Sequence, residues 1–120
     1  MTQDTVCTLV PYFDVSADKI DDFKALGRKF VERTRSEPGC VHYAFSFSGC
    51  TAHCREGYDN AEAVLAHLVN VDALLQEALT IAYIIRLEVH APAAEIEKLR
   101  QPLGGLKPQF FELEAGGIRR

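Results

Sequence analysis

At 120 residues, with 48% apolar and 25% charged side chains, the chain has the length and composition of one globular domain. Basic groups number 13 against 17 acidic ones, for a net charge of -4, and the dispersed basic residues form no positive patch of the kind a nucleic-acid binder presents. The most apolar stretch, Ala78 to Ile85, is far short of the ~18 residues that cross a bilayer, and no Lys or Arg precedes Lys19 to begin an export signal. These features set the expectation of one cytoplasmic domain over residues 1–120, with no nucleic-acid or membrane partner.

Val6 to Val15 is rich in β-formers, with Cys7, Leu9 and Phe13 on one face and Val6, Thr8, Val10 and Tyr12 on the other. Pro11 interrupts the donor pattern, which suits an edge position or a bulge. Ser16 reads as the N-cap of a helix with Asp18, Asp21 and Asp22 in its first turns and Arg28, Lys29, Arg33 and Arg35 toward its end, matching the helix dipole. Ile20, Phe23, Leu26, Phe30 and Val31 give it one apolar stripe, and Pro38-Gly39 ends it. Cys40 to Phe47 and Ala52 to Tyr58 flank Ser48-Gly49-Cys50-Thr51 as a hairpin. Alternation places Val41, Tyr43, Phe45 and Phe47 on one face, and the hairpin register adds Cys54, Glu56 and Tyr58 to it.

Asp59-x-x-Glu62 predicts a capping box for a second helix, whose stripe is Val64, Leu68, Val71 and Leu75. His67 lies at the boundary of that stripe, and Asn70 or Asp72 is a place for the helix to break. From Ala82 to His90 the residues alternate, with Tyr83, Ile85, Leu87 and Val89 opposite Ile84, Arg86, Glu88 and His90. Neither set is wholly polar, which predicts a strand covered on both sides. Pro92 opens a short helix running to Arg100, and Gln109 to Glu114 makes a last short strand. The order β-α-β-β-α-β, with an appended helix and strand, predicts an α+β ferredoxin-like sheet with helices on one face. The other sheet face, read as apolar, is left for a second copy, so a homodimer is expected with Ile84, Arg86, Glu88 and His90 at its seam.

Cys7, Cys40, Cys50 and Cys54 are read as reduced thiols. Cys50 and Cys54 bracket His53, but His53 and Cys54 point to opposite faces of a strand, so no metal site is expected.

Several stretches resemble the antibiotic-biosynthesis monooxygenase-like family of dimeric α+β barrels: the first strand and helix, Glu37-Pro38-Gly39-Cys40 leading into the Tyr43 strand, Arg55-Glu56-Gly57-Tyr58, and Ala61 to Leu68. The resemblance covers roughly Val6 to His90 and leaves the C-terminal extension unmatched. It implies a dimeric barrel whose members include cofactor-independent oxygenases of quinols or aromatic polyketides, and haem-degrading enzymes. The haem degraders are similar to one another in a third-strand Trp. This chain has no Trp, carries Tyr58 at that place, and lacks a His in Gln76-Glu77-Ala78-Leu79. The resemblance therefore implies a small hydrophobic or aromatic substrate and no metal, haem, flavin or other cofactor.

His67 is the first candidate for a general base, since imidazole titrates near neutrality; the plainer alternative is a helix-flank histidine bound to a loop carbonyl. Glu56 is the second, as the base or as the group holding His67, against a carboxylate paired with a helix N-terminus or with Arg55 of a partner subunit. Tyr58 and Tyr43 share a face and are candidates to hydrogen-bond a substrate oxygen, with Phe45 as a pocket wall; otherwise they are core aromatics. Arg86, Glu88 and His90 read as ion pairs at the seam, or as an anion site. Two functions follow: a cofactor-free oxygenase, or a non-catalytic small-ligand-binding protein using the same pocket.

Overall fold

The computed structural model describes residues 4–120, so the first three residues of the stretch read for an export signal lie outside the described ones. The elements are β1 (Cys7–Val15), α1 (Ile20–Thr34), β2 (Cys40–Ser48), β3 (Thr51–Tyr58), α2 (Ala61–Asn70), α3 (Asp72–Ala78), β4 (Ala82–Ala91), α4 (Ala93–Leu99) and β5 (Gln109–Glu112). They build a five-stranded sheet in the order β2-β3-β1-β4-β5. All neighbours are antiparallel except β4 and β5, which run parallel. This is the expected α+β layout, with the C-terminal helix and strand appended.

Strict alternation along β1 buries Cys7, Leu9, Phe13 and Val15 beneath the helices. From α1, Phe23, Leu26 and Phe30 descend onto that face, as their spacing predicts. Phe23 meets Phe13, Phe45 and Phe47 at centroid distances of 5.4, 6.2 and 6.2 Å. The second helical region does break, at Val71, between α2 and α3.

Several local expectations are corrected. Pro11 sits in a central strand, not at an edge; the β1–β3 pairing skips from Leu9–Glu56 to Tyr12–His53 around it. The side chain of Ser16 caps nothing, and a 3₁₀ turn over Ala17–Lys19 precedes α1. The N-cap of α2 is Asn60, whose Oδ1 accepts from the Ala63 amide at 2.9 Å. Asp59 instead bonds Arg119, and Glu62 pairs with Lys98, so no capping box forms. Two bulges shift side chains between faces. At the start of β2, Cys40 pairs with Tyr58 and His42 with Gly57, so Cys40 takes the inner position expected of Val41. In β4, Tyr12 pairs with Arg86 but Phe13 with Ile84, which leaves Ile85 as the extra residue and turns Ile84 inward. Ile84 is therefore not part of the outer Arg86/Glu88/His90 face.

The outer face is also more polar than expected. It carries Thr8, Tyr12, His53, Arg86, Glu88 and His90, with Tyr12 stacked on His53 at 4.5 Å. Glu88 joins Arg86 and His90 along the same strand, and both partners hold its carboxyl below the usual range. Half-buried Val10 and Phe111 share that face, Phe111 stacked on His90 at 4.6 Å, and Tyr83 and Ile85, 61% and 54% exposed, are the large apolar residues it leaves open. Among the described residues no helix is long and apolar enough to cross a membrane.

Candidate active site

The sheet and the α2–α3 pair enclose an apolar cavity floored by β1 and β3. Its polar end is made by Glu56 of β3, Tyr43 of β2 and His67 of α2; Leu9, Phe30 and Phe45 are among the apolar walls. The centre of a water molecule can move through about 50 Å³ of it, enough for a few waters or a slender ligand. β3 delivers Glu56 there by alternation: Ala52, Cys54, Glu56 and Tyr58 all point beneath the helices. His67 is reached by α2, one turn after Ala63, which lies against Gly39 at the start of β2. A Cβ on Gly39 would come within 2.5 Å of the Ala63 Cβ, so glycine is what allows that approach.

His67 is buried at 2% exposure, not placed at the helix flank as the stripe predicted. Its ring lies between those of Tyr43 and Tyr58, each 5.1 Å away. Nδ1 faces the Glu37 carboxylate at 2.9 and 3.1 Å, and Asn70 Nδ2 donates to the same carboxylate at 2.7 Å. Glu37 accepts from Nδ1–H, and burial, which lowers the imidazole below its ordinary value, favours the neutral ring with its lone pair on Nε2. Nε2 stands 3.7 Å from Glu56 Oε1, beyond hydrogen-bond distance.

Glu56 is 6% exposed. Burial pushes its carboxyl up to about 7, and the Tyr58 hydroxyl, which donates to Oε1 at 2.7 Å, works against that rise. Burial lowers the His67 imidazole, and Glu37 opposes it. Burial also raises the Tyr43, Tyr58 and Cys54 protons, so all three stay protonated at neutral pH. The site thus holds one carboxyl balanced near neutrality and one neutral, oriented imidazole, a pair suited to moving a proton within an apolar space.

The structure brings Glu56, His67, Tyr43 and Phe45 to one cavity. Tyr58 is different. It is fully buried behind Glu56, and its hydroxyl is spent on that carboxyl, so it supports the acid and does not face a ligand. The sequence marked Glu37 within a family-like stretch and Asn70 as a helix break, but neither as a site residue. A signal for Glu37 existed: an acid just past a helix C-terminus opposes the dipole, and Arg33 and Arg35 beside it do not. The four cysteines are free thiols, and no cluster among the described residues could hold a metal ion.

No family model matches the chain. The crystal structure of MupZ from Pseudomonas fluorescens superimposes with a TM-score of 0.94 at 46% identity, covering 99% of this chain and 93% of that one. Rv0793 from Mycobacterium tuberculosis has a TM-score of 0.66 at 21% identity over 73% of this chain and 95% of its own. A protein described as an antibiotic biosynthesis monooxygenase has a TM-score of 0.62 at 19% identity over 69% and 92%. The last two share the fold. An uncharacterised Synechocystis protein, sll1783, is 52% identical over 31 residues, which are 26% of this chain and 21% of that protein's length.

Proposed function

The chain belongs to the antibiotic biosynthesis monooxygenase-like family, and from that premise we propose that it is a cofactor-independent monooxygenase of a small aromatic or quinol-type substrate. The observation that carries this reading is the buried Glu56 carboxyl, held near pH 7 at the polar end of an apolar cavity, 3.7 Å from an imidazole that Glu37 orients. Glu56 or His67 removes a proton from an activated C–H or phenolic O–H. The resulting anion reduces dioxygen, the peroxide forms at carbon, and loss of water leaves a carbonyl. A CH₂ group and O₂ thus become C=O and H₂O. Glu37 and Asn70 fix the imidazole, Tyr58 steadies the Glu56 carboxylate, and the apolar walls keep water from the anion. A homodimer through the outer face of the sheet, with Tyr83 and Ile85 in the contact, and a reducing compartment that suits four free thiols, complete the reading.

An oxygen electrode over a panel of hydroquinones and hydroxynaphthalenes tests it. Uptake by the protein alone should rise with pH through about 7. Glu56→Gln or His67→Ala should lower it by ~10²-fold, and Tyr58→Phe by less. Equal rates in wild type, variants and buffer would contradict the oxygenase. A second reading rests on the same Glu56 balance near pH 7, where the group is as good an acid as a base. A redox-neutral addition, elimination or isomerisation would use the same side chains, and turnover that persists without oxygen would select it.

A further inference from the structure

The segment after β4 is fastened to the helix that carries His67. Glu95 of α4 is buried and accepts from the Ala61 amide at 2.9 Å, in the first turn of α2. Lys98 then bridges Glu95 at 3.3 Å and Glu62 at 3.2 Å. Ile96 and Leu99 pack below, and the Leu103 amide donates to Leu99 O at 3.0 Å. A 3₁₀ turn over Gly104–Leu106 follows, Lys107 reverses the chain at a φ of 54°, and β5 joins β4. This path brings Leu103, fully buried, and Leu106, half-buried, into the wall of the cavity beside Leu68. Pairing fixes the direction across the sheet: Tyr43 faces Glu56, Glu56 faces Leu9, and Leu9 faces Val89. Leu103 belongs to the cluster of Leu9 and Val89, so the cavity is polar toward β2 and β3 and apolar toward β4. Two strand spacings, roughly 10 Å, separate Glu56 from that apolar end.

We propose that Leu103 and Leu106 form the specificity-determining end wall of the cavity. The substrate places its ionisable group at Glu56 and a slender, unbranched apolar body toward the 102–106 turn, which sets the longest body accepted. The inference rests on reading the cavity as the substrate site and is independent of the oxygen chemistry. The relatives that share only the fold cover 73% and 69% of this chain, whereas MupZ covers 99%.

The test is the affinity of a series of 4-n-alkylphenols, methyl to octyl, measured by calorimetry on the full chain, for wild type, Leu106→Ala and Leu106→Trp. Each methylene that fits should tighten binding about fourfold, until the wall is met and the gain stops. Leu106→Ala should move that cut-off to a longer chain and Leu106→Trp to a shorter one. The protein has no Trp of its own, so the introduced indole also reports, by its emission, whether the ligand reaches it. Should the Trp variant fail to fold, Leu106→Met provides the narrower comparison. An unchanged cut-off across the variants, or no binding of any member to wild type, would overturn the proposal. Binding with the expected cut-offs but no dioxygen uptake would refute the oxygenase and leave the wall standing.

Discussion

The chemistry of Glu56 should be visible in stability as well as in rate. Its folded-state pKa, about 7, lies above the ordinary 4.5, so the native protein holds a proton that the unfolded chain releases across that window. Stability contributed by this group is full below pH 4.5 and is lost as pH rises toward 7, by roughly 3 kcal/mol. His67 acts in the opposite sense: burial lowers its pKa below 6.5, so stability falls as pH drops below that value. Glu56→Gln removes the first slope and keeps the second. Urea unfolding at pH 5, 6, 7 and 8 should therefore show wild type losing more stability with rising pH than the Gln variant; parallel profiles would contradict the assignment. Tyr58→Phe removes a hydrogen bond that favours the Glu56 carboxylate, so it should raise that pKa further and carry the pH–rate profile upward with it.

At the scale of elements, the first turn of α2 is capped by Asn60 beside it and by Glu95 from α4. Asn60→Ala should cost about 1 kcal/mol, since it removes the side chain that bonds the Ala63 amide. Asp59→Ala should cost less, because Asp59 only meets exposed Arg119; denaturant midpoints of the two variants decide between Asn60 and the capping box. Gly39→Ala should destabilise by roughly 1–3 kcal/mol, measurable as a lowered Tm, because the new methyl strikes the Ala63 Cβ. The periods of α1, β1 and the hairpin were legible in the residues, and so were Glu56 and His67 as candidates. The two bulges were not. An extra residue such as Ile85 is accommodated by the pairing of β4 with β1, which no spacing along one strand displays. His67 was misplaced for a related reason: angular position on α2 cannot register that the turn carrying Glu37, 30 residues earlier, covers its flank.

For the whole molecule, the exposed Tyr83 and Ile85, set beside a face of stacked and ion-paired polar groups, suit an interface better than bulk water. Light scattering after size exclusion should give about 27 kDa, two copies of the 13.3 kDa chain. A mass near 13.3 kDa at micromolar concentration would contradict the dimer. Sheet and helices together exclude water from a carboxyl that β3 carries into an apolar space.

That feature can be measured directly. In protein carrying ¹³C at glutamate side-chain carboxyls, with Glu56→Gln identifying the resonance, the Glu56 signal should titrate with a midpoint about 7. A midpoint near the ordinary 4.5 would mean that Glu56 is ionised and solvated throughout the neutral range, and would contradict its role as the acid–base group of this site.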